Sequence, residues 1–195
     1  MNNKKGNIKR GGNKMKKTIM FMSLIALLVV GVFLTGCTTG KTPESSGNNK
    51  VVAEAKGLGK APDFTATTIT GETVSTKSYL ASGKPTLVYF MASWCPTCAK
   101  NWPSLNQVYS EYKDQVNIVA ISIDPTDTKD VLSKLSSDEG LIFPMVPGNP
   151  QIMVDFGVKG QATTVGVDAK GNIVFIKSGE FSLEQYRSMI KGLLQ

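Results

Sequence analysis

Thr86-Leu87-Val88-Tyr89-Phe90-Met91, followed by Ala92-Ser93-Trp94-Cys95-Pro96-Thr97-Cys98, is the stretch that decides the fold. Six consecutive apolar or β-branched residues suit a strand buried on both faces. The strand ends at Ala92, and from Cys95 to about Tyr112 the spacing turns helical, with Trp102, Leu105, Val108, Tyr109 and Tyr112 on one side. Pro103 is expected to kink that helix. A Cys-x-x-Cys pair that opens a helix places its first sulfur among unpaired backbone N–H groups, at the positive end of the helix dipole. Such a position favours the thiolate, the reactive form of cysteine. Cys95 is therefore the expected nucleophile and Cys98, one turn on and more buried, the resolving cysteine. Pro96 fits the first helical turn, where its missing N–H has no helical partner in any case.

Outward from this centre the chain alternates. Asn117 to Ile123 reads as a second buried strand, and Asp127 or Thr128 as the cap of a helix to about Asp138, with Val131, Leu132 and Leu135 facing inward. Phe143 to Val146 suggests a short strand, and Gln151 to Phe156 a short helix. Thr164 to Asp168 and Ile173 to Lys177 form strands joined through Ala169-Lys170-Gly171-Asn172, and Ser182 caps a last helix. Upstream, Ile69 to Val74 reads as a small hairpin about Gly71. The expected class is α/β, a mixed central sheet flanked by helices, with an N-terminal β-hairpin.

The N-terminal part has a different texture. Lys14, Lys16 and Lys17 precede an apolar run from Ile19 to Leu34, which closes on Leu34-Thr35-Gly36-Cys37. The run is shorter than the roughly 20 residues of a membrane-spanning helix, and the layout is that of a secretory signal. Its ending resembles a lipobox, which implies cleavage before Cys37 and a lipid on that sulfur; a retained signal anchor is the alternative. Met15 is a second candidate start. Residues 1–36 are thus expected to be the signal, 37–61 a lipidated flexible tether, and 62–195 the folded domain. The tether composition implies a mean span of roughly 25–30 Å.

Charge and cysteine number narrow the function. Of the 22 basic residues, seven lie within the first 17 positions, leaving 15 against 15 acidic ones after Cys37. The net charge of +7 therefore belongs to the leader, and nucleic acid is not an expected partner. The sequence has three cysteines and no histidine. With Cys37 lipidated, Cys95 and Cys98 form a self-contained pair, and a four-ligand zinc site lacks its other ligands. Asp124, Asp127 and Asp130 lack the Gly and Glu of a calcium loop and read as helix capping and solvation. No cofactor is implied, because the dithiol itself carries the electrons.

Trp94-Cys95-Pro96-Thr97-Cys98 after an apolar strand resembles the thioredoxin active site. The wider domain is similar to the TlpA/ResA branch of extracytoplasmic thioredoxin-like proteins. Ala61-Pro62-Asp63-Phe64, Lys84 to Phe90, Phe156-Gly157-Val158, Thr163 to Asp168 and Gly171 to Val174 carry the likeness. The resemblance implies a thioredoxin-like fold with a helical insertion near 124–139, and membrane anchoring on the extracytoplasmic face. It also implies exchange with protein thiols and disulfides, recharging by a CcdA/DsbD-like membrane thiol donor, and active-site shaping by Trp94, Pro96, Thr97, Ala162 and Thr163. Apocytochrome or methionine sulfoxide reductase thiols are the kind of substrate implied. A reductase is favoured; a disulfide-donating oxidase and a non-catalytic binding or metal-holding module are the alternatives. Peroxidase chemistry is disfavoured, because the Pro-x-x-x-Thr-x-x-Cys frame of peroxiredoxins is absent at Cys95.

Three positions depart from that pattern. Ala162 stands where the family has a cis-proline, and the cost of a non-proline cis bond predicts a trans Gln161–Ala162 peptide. Asn101 replaces a glutamate three residues after the second cysteine. Tyr89 occupies the place of the buried aspartate of ordinary thioredoxins. No carboxylate is therefore assigned as base for Cys98, and water is expected to take its proton.

Overall fold

The computed structural model describes residues 58–195. The expected signal, Cys37 and nearly all of the expected tether lie outside the described residues. Among the described residues, no helix is long and apolar enough to cross a membrane.

The elements are β1 Thr65–Thr67, β2 Thr73–Ser75, α1 Thr76–Ala81, β3 Thr86–Met91, α2 Pro96–Tyr112, β4 Asn117–Ser122, α3 Lys129–Glu139, β5 Met145–Val146, α4 Pro150–Asp155, β6 Thr163–Val167, β7 Ile173–Ser178 and α5 Leu183–Leu193. The central sheet has five strands in the order β5-β4-β3-β6-β7. β3 lies in its middle, parallel to β4 and antiparallel to β6. β1 and β2 form a separate antiparallel pair. The turn between them brings Gly71 to φ 88°, a left-handed conformation that costs a residue without a Cβ little.

All six residues of β3 are buried, and their alternation explains why the run is continuously apolar. Leu87, Tyr89 and Met91 face the layer that includes Trp102, Leu105 and Val108 of α2, Leu132 of α3, and Tyr186 and Ile190 of α5. Val88 and Phe90 face Phe64, Val74, Ile152 and Phe156. Each face thus has its own core.

Local signals place the helices. Ser182 and Gln185 close a reciprocal capping box at α5. Arg187 on α5 reaches across to α2, its guanidinium gripping both carboxylate oxygens of Glu111. Helix α2 continues as one element through Pro103. Gly59 to Ala61 already join the fold: Ala61 N–H donates to Gly171 O at 2.9 Å, and Ile173 N–H to Gly59 O at 2.9 Å.

Three particulars differ from the sequence reading, and one alternative is resolved. The six-residue α1, capped by Ser75, was not foreseen; it is too short for a periodic apolar signal. Val131 is exposed rather than inward, because α3 turns only Leu132 fully into the core, with Leu135 partly covered. Of the two caps the sequence offers for α3, the structure uses Thr128: its Oγ1 accepts the Val131 N–H, while Asp127 is buried and engaged elsewhere. The Gln161–Ala162 peptide bond is cis, not trans. The trans expectation used local preference alone. In the fold this peptide is flanked by tertiary fixings: Ala162 O accepts from Gly179 N–H at 2.9 Å, and Thr163 is already paired with Phe90 and Ser178.

Candidate active site

Strand β3 delivers the chain to the site, and helix α2 leads it away. Cys95 is the N-cap of α2, with φ −81° and ψ 113°, and Pro96 is the first helical residue. The Cys95 Sγ accepts the backbone N–H of Cys98 at 3.1 Å, the bond an N-cap oxygen makes elsewhere. Cys95 and Cys98 are joined as a disulfide, with Cα atoms 5.2 Å apart. Cys95 is 5% exposed and Cys98 is not exposed at all, so an incoming sulfur has access to the first and not to the second. Pro96 is exposed and Thr97 half-buried, while Trp94 is 60% exposed beside the pair.

The loop before Cys95 is held by two aspartates from the β4–α3 connection. Trp94 Nε1 donates to Asp124 Oδ2 at 2.5 Å. Asp124 is kept below the usual carboxylate range by hydrogen bonds from Thr126 and from Trp94. Asp127 accepts from Ser93 N–H at 2.8 Å, from Ser93 Oγ at 2.5 Å and from Ser122 Oγ at 2.5 Å. This connection and α3 occupy the segment near 124–139 where the resemblance places a helical insertion.

Behind Cys98, one turn along α2, Asn101 is wholly buried. Its Nδ2 donates to Tyr89 Oη at 3.2 Å and to Gly179 O at 2.9 Å, and its Oδ1 accepts from Phe181 N–H at 2.8 Å. Two of the positions that depart from the family pattern are thus bonded to each other. Burial pushes the Tyr89 phenol well above its ordinary range, with the Asn101 bond opposing, so it stays protonated.

A third wall comes from β6. The pairing of Phe90 with Thr163 brings Gln161-Ala162 alongside the end of β3 that leads to Cys95. Ala162 is buried in the same apolar cluster as both cysteines and Trp102. Thr163 Oγ1 donates to Gly160 O and bonds Ser178 Oγ, each at 2.7 Å, which fixes the turn into β6. Trp94, Pro96 and Thr97 therefore adjoin the pair in the chain, Ala162 shares its apolar cluster and Thr163 follows in β6; Cys37 lies outside the described residues.

Sequence reasoning missed Ser93, Ser122 and Asp127. Their only linear trace is an aspartate five residues after a buried-strand serine, which has no specificity of its own.

The sequence matches the AhpC/TSA family over residues 59–176. The chain belongs to this family. Several of its relatives carry the names of thiol–disulfide enzymes. It is 30% identical over 139 residues to the thiol-disulfide oxidoreductase ResA of Bacillus thuringiensis (strain Al Hakam), covering 70% of this chain and 78% of that protein. A thiol:disulfide interchange protein of the thioredoxin family from Chlorobium tepidum superposes with a TM-score of 0.63 at 25% identity, covering 70% of this chain and 97% of that one. A secreted Mycobacterium tuberculosis disulfide oxidoreductase homologous to E. coli DsbE gives 0.58 at 25% identity, covering 67% and 96%. This AhpC/TSA member is accordingly a thioredoxin-like thiol–disulfide oxidoreductase of ResA/DsbE type, whose partners are protein thiols and disulfides.

Proposed function

We propose that the chain is a lipid-anchored extracytoplasmic reductase of protein disulfides, with Cys95 as nucleophile and Cys98 as resolving cysteine. The observation that carries the roles is the Cys95 sulfur at the start of α2, accepting the Cys98 N–H with Cys98 fully covered behind it. The Cys98 N–H aimed at that sulfur, with the positive end of the α2 dipole, stabilises its thiolate.

Cys95 thiolate attacks one sulfur of a substrate disulfide. A Cys95–substrate mixed disulfide forms, and the other substrate sulfur leaves as a thiolate that takes a proton. Cys98 gives its proton to water, since Asn101 and Tyr89 supply no carboxylate there. Its thiolate attacks Cys95 Sγ, closing the Cys95–Cys98 disulfide and releasing the second substrate thiol. The substrate gains two electrons and two protons, and a CcdA/DsbD-like membrane dithiol restores them to the pair while becoming a disulfide itself. Ala162 and Thr163 line the approach, and Trp94, Pro96 and Thr97 form the rim that a protein substrate meets.

The preference for reduction rests on the TlpA/ResA likeness, which also suggests apocytochrome or methionine sulfoxide reductase thiols as substrates. Residues 1–36 act as a signal and Cys37 as the lipid attachment, with the tether ending ahead of Gly59, because Gly59 to Ala61 are hydrogen-bonded into the catalytic domain. The secreted relative supports an address outside the cytoplasm.

The test is trapping in cells. Cys98→Ser accumulates mixed disulfides through Cys95, which mass spectrometry identifies, whereas Cys95→Ser traps none. Identical behaviour of the two variants removes the proposed roles. Cys37→Ala releases the protein from the membrane fraction if that sulfur carries the anchor. A potential close to that of DsbA, with substrate disulfides lost on deletion, reassigns the enzyme as an oxidase.

A further inference from the structure

Asp127 is 1% exposed, the only carboxylate among the described residues that is fully buried. None of the ion pairs among the described residues includes it. A charge in the interior without a cation persists only if hydrogen bonds replace its hydration. Here donors alone meet it: Ser93 N–H, Ser93 Oγ and Ser122 Oγ. Ser122 ends β4, in register with Met91 at the end of β3, so Asp127 bridges the adjacent ends of two parallel strands. Its own backbone is fixed as well, Asp127 N–H to Asp124 O and Gly148 N–H to Asp127 O, each at 2.9 Å. Gly148 comes so near that a Cβ there would strike the Asp124 carbonyl, so this support has no slack.

We propose that Asp127 is a positioning residue that sets the redox poise of the Cys95–Cys98 pair through the loop at Ser93. The inference rests on Cys95 being the attacking sulfur. Ser93 lies two residues before Cys95, and Asp127 takes both its N–H and its hydroxyl, so the approach of the chain to the N-cap is locked. Through Ser93 the same carboxylate is held two residues along the chain from a site where a thiolate must form. It opposes the Cys95 thiolate, counteracting the start of α2, and so restrains the oxidising power that thiolate stabilisation confers.

The decisive measurement is the equilibrium of the full-length protein with dithiothreitol. In it the Cys95–Cys98 disulfide takes two electrons and two protons, and the reagent becomes its cyclic disulfide. The companion measurement is the thiolate absorbance of Cys95 against pH. Asp127→Asn keeps the shape and removes the charge. It is expected to shift the equilibrium about tenfold towards the dithiol, about 30 mV more oxidising, and to lower the pH at which Cys95 ionises. Ser93→Ala keeps the charge and the Ser93 N–H bond, and is expected to shift the equilibrium two- to threefold. A folded Asp127→Asn with wild-type poise and wild-type thiol titration overturns the proposal, leaving Asp127 a purely structural residue. If Asp127→Asn does not fold, Ser93→Ala decides, and an unshifted equilibrium overturns it. A wild-type pair that dithiothreitol does not reduce reversibly would instead sink the assignment of Cys95 and Cys98.

Discussion

Asn101 and Asp127 secure the two ends of the redox motif with similar connectivity and opposite electrostatics. Each is buried, and each ties together segments distant in sequence. Asn101 uses both faces of its amide to bind α2 to the Gly179–Phe181 connection and to Tyr89. Asp127 uses only acceptors, to bind the Ser93 loop to the end of β4. The contrast teaches where charge is tolerated: ahead of the accessible sulfur, where several donors converge, and not behind the covered one, where a carbonyl must also be satisfied.

Breaking the neutral knot has the largest expected effect on stability. Asn101→Ala leaves Gly179 O, Phe181 N–H and Tyr89 Oη without their partner in the interior. A loss of about 2–3 kcal/mol is expected from urea denaturation. A loss well under 1 kcal/mol would mean that the region repacks. Making the rear resemble the front is the next largest. Asn101→Asp sets a carboxyl oxygen against Gly179 O, an arrangement that favours the protonated acid and raises its pKa in the folded state. A raised acid contributes its stability below the unfolded value, near 4, and loses it as pH rises through the folded value. Denaturation midpoints should show the variant about 1–2 kcal/mol worse at pH 8 than at pH 4.

Trp94→Ala probes the exposed rim, with a stability change within about 0.5 kcal/mol. The Asp124 carboxyl loses one of the donors that hold it down, so its titration followed by NMR moves partway back towards the ordinary value; Thr126 still holds the rest. The smallest effect comes from a pair remote from both anchors. Hydrogen bonds from Arg187, then from Gln107, hold Glu111 at about 2. A depressed carboxylate stabilises the fold above its unfolded value, and that contribution fades as pH falls through about 2. Glu111→Gln should differ slightly from wild type in denaturation midpoint at pH 6, and the difference should disappear near pH 2. A shift in redox poise from Glu111→Gln would show that charge acts on the pair without a local contact.

The features legible in the sequence were those with a period or a cap. The apolar run 86–91 needed only strand alternation within a covered sheet, and the Ser182 cap needed only its place ahead of a helical period. Asp127 was not legible, because its partners Ser93 and Ser122 lie at the ends of different strands and only the register of β3 with β4 brings them together. In one dimension it read as one of three aspartates suited to helix capping and solvation. Asn101 and Tyr89 were each noticed as departures, yet their bond to each other follows from α2 lying across β3. The cis geometry at Ala162 was missed for a similar reason: local preference pointed one way, and pairing around Thr163 and Gly179 accompanies the other.

Gly59 to Ala61 meet the fold at the β6–β7 turn, through Gly171, Asn172 and Ile173. β6 begins beside the reactive pair at Thr163 and ends next to that turn, so the chain is stitched on at the opposite pole from Cys95. Any pull on the chain ahead of Leu58 therefore arrives at the base of the molecule. Cys95 thus sits at the far end of the sheet from the residues where the described chain begins.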